Sequence, residues 1–180
     1  TEMGAAIGSQ DARPPLTIDG ARLRGITHRP EVPSAQIKSA VLLAGLQAEG
    51  ETTVLEPVPT RDHTERAFHE FGVRVEKAGE AIRVTGGQPL KPRELVVPGD
   101  VSSAAFWIAL AAGTPGGEIE IEGVGLNPTR IAMLEIVRRA GARVEIQIDN
   151  EDAGEPVGRI RVMYDSPASF VIEPDEVPGV

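Results

Sequence analysis

The sequence contains no cysteine, only three histidines, and few aromatic residues: one Trp, one Tyr and four Phe. Without thiols it can form no disulfide, thiolate nucleophile or cysteine metal site. The histidines, His28, His63 and His69, are scattered and form no ligand cluster, so no metal site is expected; no cofactor is expected either. With so few rings, the core has to be built from Val, Ile, Leu and Ala. No apolar run approaches the roughly 18 residues that span a bilayer. Positive charge is also scarce. Lys+Arg number 18 against 27 Asp+Glu, a net charge of −9, which repels phosphate backbones and anionic membranes over long range. Neither nucleic acid nor membrane is therefore an expected partner, although a local basic pocket stays open. The opening residues TEMGAAIG lack a charged-then-apolar signal pattern, and a thiol-free chain fits a reducing cytosol, so the expected location is cytoplasmic.

What is present is an ordinary globular composition, 41% hydrophobic and 25% charged over 180 residues. A chain of this length buries roughly 70% of its unfolded surface. Both ends read as cut. Thr1 to Gly4 resembles the tail of a helix, and the closing DEVPGV resembles the start of a strand or turn, so an internal piece of a longer protein is expected.

Periodicity divides the chain into elements. Pro14 to Ile18 and Ala21 to Ile26 alternate around Asp19-Gly20, which predicts a hairpin. A helix follows from Ser34 to Ala48, with Ile37, Ala40, Val41, Ala44 and Leu46 as its expected buried face. Ser34 is a good N-cap. Its helix start reads either as a plain cap with Lys38 in solvent, or as an anion seat flanked by Gln36 and Lys38. Next come a strand from Thr52 to Glu56, a helix from Arg61 to Phe71 capped by Thr60 and buried through Ala67, Phe68 and Phe71, and a hairpin of Val73 to Glu76 with Ala81 to Thr85. His63 and His69 are expected on the exposed side of the second helix.

After a Gly/Pro-rich stretch, Gly86 to Pro92, the same order recurs. Strand Glu94 to Val97, helix Val101 to Ala112, strand Glu118 to Glu122, helix Thr129 to Ala140, and strands Arg143 to Ile148 and Arg159 to Tyr164 are predicted. Val32-Pro33 falls opposite Val97-Pro98, Thr60-Arg61 opposite Thr129-Arg130, and Phe71-Gly72-Val73-Arg74-Val75 opposite Ala140-Gly141-Ala142-Arg143-Val144. The expected fold is therefore α/β (α+β), about two repeated βαβαββ units. The chargeless helix VSSAAFWIALAA is expected to be buried on nearly all sides. Helix starts at Ser34, Thr60, Asp100 with Ser102 and Ser103, and Asn127 with Thr129 are expected at one end, an anion-attracting surface. Asp100, Ser102 and Ser103 read as cap residues rather than ligands.

Four segments in this order, PSAQIKSAVLLAGL, PTRDHTERAFHEFGV, VPGDVSSAAFWIALAA and LNPTRIAMLEIVRRAGARVE, resemble the 5-enolpyruvylshikimate-3-phosphate (EPSP) synthases, the 3-phosphoshikimate 1-carboxyvinyltransferases. The resemblance implies the two-domain enolpyruvyl transferase fold of βαβαββ units. Residues 1–98 would belong to the N-terminal-side, substrate-binding domain and 99–180 to the second. It implies transfer of an enolpyruvyl group from phosphoenolpyruvate to shikimate-3-phosphate, both small and anionic. It assigns Ser34, Ala35, Gln36, Thr60 and Arg61 to shikimate-3-phosphate binding, with Ala35 as in glyphosate-tolerant sequences and Thr60 where other members carry a phosphate-binding serine. Lys38 receives no role. The family's basic loop and phosphoenolpyruvate arginine are expected before Thr1, and its Ile-Asp-Glu and Lys-Glu-Ser-Asp-Arg stretches after Val180. No catalytic residue is therefore expected within the chain, and Asp175 and Glu176 are given no role. By itself the chain is expected to be inactive and to dimerise through bare apolar faces. Two alternatives are a non-catalytic scaffold of the same fold and the sister transferase acting on UDP-N-acetylglucosamine, whose helix differs from SAQIKSAVLLAGL.

Overall fold

Residues 2–173 are described by a computed structural model; Thr1 of the expected helix tail, and Asp175 and Glu176 near the C-terminus, lie outside them. The chain divides into two compact units, Thr1–Pro92 and Arg93–Val180.

In the first unit, β1 (Ala6–Gln10) and β2 (Arg13–Asp19) form an antiparallel ribbon that pairs Ile7 with Ile18. This corrects the hairpin expected around Asp19-Gly20. The chain reverses at Asp11 and Ala12, both with positive φ, so Pro14 to Ile18 pairs backward with Ala6–Gln10 rather than forward. The residues after Gly20 are drawn elsewhere: Arg24 N–H donates to Met3 O and Gly25 N–H to Glu49 O. Residues 2–4 form a turn, not a helix end.

The main sheet has the order β3-β4-β6-β5, from β3 (Thr27–His28), β4 (Glu51–Leu55), β5 (Val75–Ala78) and β6 (Ala81–Thr85). β3 runs parallel to β4, and the other pairs are antiparallel. Helices α1 (Ala35–Leu46) and α2 (His63–Glu70) connect the strands. Leu42, Leu46, Val54, Phe68, Val73, Ile82 and Val84 form the core. Gly45 lets α1 lie close on β4, since a Cβ there would stand 2.7 Å from Thr52 Cβ. The buried stripe of α1 is Lys38, Leu42, Gly45 and Leu46, rotated from the expected one. Because the helix is apolar on several sides, its sequence leaves two candidate faces. The other, Ala40, Val41 and Ala44, lines an open apolar hollow with Met3, Leu23 and Ile26.

The second unit repeats this plan. Gly99 bridges Val124 in parallel, at the place that β3 takes beside β4. Then follow α3 (Val101–Gly113), β7 (Glu118–Gly125), α4 (Ala132–Arg139), β8 (Arg143–Asp152) and β9 (Glu155–Met163). The sheet order β7-β9-β8 matches β4-β6-β5, with the last strand in the middle. Strand β9 alternates half-buried and buried residues, and its inward Ile160 and Val162 join Ile108, Leu126, Leu134 and Val144 in the core. On the other face, Arg161 pairs with Glu118 and Arg159 with Asp149 across strands.

Three expectations in this unit are corrected. Glu94 to Val97 forms no strand. Val96 N–H donates to Asp152 Oδ2, and only Gly99 reaches the sheet. Helix α4 begins at Ala132 instead of Thr129, because the Thr129 and Arg130 N–H groups turn back onto Asn127. Helix α3 is buried on one side only. Val101, Ala104, Ile108 and Ala111 pack inward, while Phe106 is 80% exposed and Trp107 and Leu110 60%.

Candidate functional site

A cleft of about 270 Å³ opens in the first unit between the start of α1 and the end of β4, lined by Arg29, Ser34, Lys38, Glu56, Val58 and Thr60 among others. Ser34 ends an extended segment after Pro33, where β-region backbone is favoured for an N-cap. Its Oγ accepts from Ile37 N–H at 3.4 Å and donates to Gln36 Oε1 at 3.3 Å. Ser34 is thus both cap and lip of the cleft. Gln36 is exposed and Ala35 half-buried at the helix start, where first-turn N–H groups are the ones a helix leaves without internal acceptors.

Lys38 does not lie in solvent. It is 1% exposed, on the stripe of Leu42 and Leu46, with Nζ 2.9 Å from Glu56 Oε1 and 2.8 Å from Glu65 Oε1. These are contact-distance ion pairs whose angles fall short of hydrogen bonds. An ammonium so buried is tolerated because its carboxylates are beside it. Sequence reasoning missed Glu56 and Glu65. The available signal was a lysine in register with a buried apolar stripe, which demands an acidic partner.

Thr60 does not cap α2, which starts at His63 after Asp62. Both of its donors go to one oxygen instead: its N–H reaches Glu56 Oε1 at 3.1 Å and its hydroxyl at 2.5 Å. Carboxylate and turn therefore lock, and helix formation is deferred past Arg61. Arg61 is half-buried and makes no ion pair or hydrogen bond with the described residues. His63 and His69 are exposed as expected.

The second unit carries the same arrangement in another state. Thr129 N–H and Oγ1 both donate to Asn127 Oδ1, at 2.8 and 2.7 Å. Asn127, itself buried, donates to Glu155. Arg130 bonds Asp100 at 3.0 Å and also Ser102 Oγ. Asp100 is the N-cap of α3, accepting from Ser102 N–H at 3.0 Å. That backbone donor, then Arg130, hold its carboxyl below the usual aspartate range. Here the chain's own carboxylate sits between helix start and arginine. In the first unit the N-cap is a neutral serine and the arginine has no partner among the described residues.

Among the described residues, no group of three or more His, Asp or Glu could hold a metal ion, and no helix is long and apolar enough to cross a membrane.

Comparisons with known proteins agree on one family. The family model for EPSP synthase (3-phosphoshikimate 1-carboxyvinyltransferase) matches residues 1–166. A 3-phosphoshikimate 1-carboxyvinyltransferase of Shouchella clausii is 48% identical over 179 residues, 98% of this chain and 42% of the relative. One from Acidithiobacillus ferrooxidans is 50% identical over 176 residues, 98% of this chain and 41% of the relative. The chain thus spans about two fifths of the length of the curated relatives it matches. A solved EPSP synthase from Acinetobacter baumannii superposes with a TM-score of 0.83 at 42% identity, covering 98% of this chain and 40% of that one. The enolpyruvyl transferase NikO from Streptomyces tendae shares the fold at a TM-score of 0.69 and 16% identity, over 92% of this chain and 40% of its own.

Proposed function

Because the chain belongs to the EPSP synthase family, we propose that the full-length protein transfers the enolpyruvyl group of phosphoenolpyruvate to the 5-hydroxyl of shikimate-3-phosphate. The hydroxyl oxygen adds to C2 of phosphoenolpyruvate as a proton goes to C3; inorganic phosphate and a C3 proton then leave. This reading places the protein in the cytoplasm, in the shikimate pathway towards chorismate and the aromatic amino acids. Residues 1–98 form part of the substrate-binding domain of the parent, and residues 99–180 part of the second.

Within the chain, Ser34, Ala35, Gln36 and Arg61 serve shikimate-3-phosphate, and Thr60 marks the lip of the same cleft. The observation that carries this assignment is the contrast between the two units. Arg130 is neutralised by Asp100 at the α3 start, whereas Arg61 has no partner among the described residues and the first turn of α1 carries no acid. A guanidinium that meets no acid among the described residues suits an external phosphate. The groups that move protons lie elsewhere in the full-length protein, so the 180-residue chain alone turns nothing over.

In the full-length protein, Arg61→Ala and Gln36→Ala are expected to raise KM for shikimate-3-phosphate by about tenfold or more, as loss of a charged or bidentate contact does. Unchanged affinity in both would favour a scaffold. Turnover of UDP-N-acetylglucosamine in its place would favour the sister transferase.

A further inference from the structure

The cleft has a buried floor that the substrate reading leaves without a task. Lys38, Glu56 and Glu65 come from α1, the end of β4 and α2, and all three are nearly excluded from solvent. Their charges sum to one negative, so the cluster does not itself attract an anion. Lys38 already has two carboxylates at contact distance, and Thr60 has spent both of its donors on Glu56. Thr60 therefore has no hydrogen left for a phosphate oxygen without breaking what it now makes, and Lys38 is enclosed between the two carboxylates.

The second unit carries an independent version of the same seat. Thr129, the other threonine of a Thr-Arg pair, also gives its N–H and its hydroxyl to a single side-chain oxygen. The acceptor there is an amide, Asn127, tied in turn to Glu155. Two different acceptors, reached from different chain positions, hold the threonine in one way. In the second unit the arginine that follows lands on the N-cap of the apolar helix. In both units the seat fixes the residue just before the arginine.

We propose that Lys38, Glu56 and Thr60 form a buried positioning relay that sets Arg61 at the start of α1, with Thr60 serving as a seat and not as a phosphate donor. Lys38 fixes Glu56, Glu56 fixes residues 60–61, and Glu65 ties the same ammonium to α2. The relay depends on the proposed reading of the cleft as the shikimate-3-phosphate site.

A double-mutant test in the full-length protein separates seat from ligand. Thr60→Val, Glu56→Gln and Lys38→Met are each made in the wild type and in Arg61→Ala, and KM for both substrates, kcat and the melting temperature are measured. If the three act only through Arg61, each raises KM for shikimate-3-phosphate about five- to twentyfold in the wild type. In Arg61→Ala the same changes shift it less than about twofold, because the group they aim is gone. The KM for phosphoenolpyruvate stays within about twofold throughout. Fold-changes that multiply with that of Arg61→Ala would overturn the proposal, since Thr60 would then touch substrate directly. So would variants that lower only the melting temperature. Should Lys38→Met fail to fold, Glu56→Gln and Thr60→Val, which bury no new charge, decide alone. If Arg61→Ala itself leaves KM unchanged, the reading of the site falls and the relay with it. If Arg61→Ala raises KM and the relay variants do not, the relay alone is wrong.

Discussion

Ser34 and Asp100 occupy the same step of the repeated unit and give the two helix starts opposite electrostatics. Asp100 accepts a backbone N–H and holds Arg130, so Asp100→Ala should cost about 1 kcal/mol, the usual worth of an N-cap. Because the Asp100 side chain is 56% exposed, the ionic part of the pair stays small and salt-sensitive. The sign with pH follows from the lowered pKa of Asp100. A carboxyl depressed in the folded state contributes stability above its unfolded value and loses it as pH falls through the folded one. The melting-temperature gap between wild type and Asp100→Ala should therefore be constant from about pH 7 to 5 and close below about pH 4. A gap that widens on acidification would contradict this account. Legibility at this scale was uneven. Ser34 and Asp100 were readable as caps because a cap is a local bond across two or three residues. Glu56 and Glu65 were not, because their partner Lys38 is reached only after β4 and α2 have folded back on α1.

Element by element, period and punctuation identified the four helices and most of the ladder strands, but not which face each presents. Helix α1 is apolar on more than one side, and α3 carries no charge at all. With such sequences the sheet, not the helix, selects the buried stripe. Helix starts were misplaced where side chains and turns captured the first N–H groups, at Thr60 and Thr129, and a hairpin was misplaced where the Asp11-Ala12 turn displaced the Asp19-Gly20 signal. Gly158 shows a constraint invisible in sequence. It lies in the central strand β9 where bulges of both neighbours meet, opposite Val124 and Ile148. A Cβ there would stand 1.9 Å from Gln147 O. Gly158→Ala is expected to cost about 3 kcal/mol, the upper end for overpacking. Gly113→Ala, with nothing within 4 Å of the new atom, should change stability by less than about 0.5 kcal/mol. Urea unfolding of both variants measures the difference.

The whole chain is one unit written twice, and each writing leaves apolar surface bare. Phe106, Trp107 and Leu110 stand exposed on α3, and Ile7, Leu16 and Ile18 on the β1–β2 ribbon. Apolar side chains left bare on either unit drive association. The 180-residue chain is expected to scatter light as more than a monomer and to bind an apolar dye. Phe106→Ser with Trp107→Ser should reduce both. Trp107 is the only tryptophan, so its emission should shift to the blue as concentration rises; a concentration-independent spectrum would count against association through α3. The sequence by itself determined the repeat, the order of elements within it, the family and the Ser34–Gln36 helix start, because periodicity, caps and turn residues are local. Only the tertiary structure decided which helix faces are buried, that Lys38 is clamped between two acids, and that Arg130 is neutralised while Arg61 meets no acid among the described residues. Those outcomes depend on contacts between residues far apart in sequence, and charges and apolar faces acquire their energies only when folding removes water from around them.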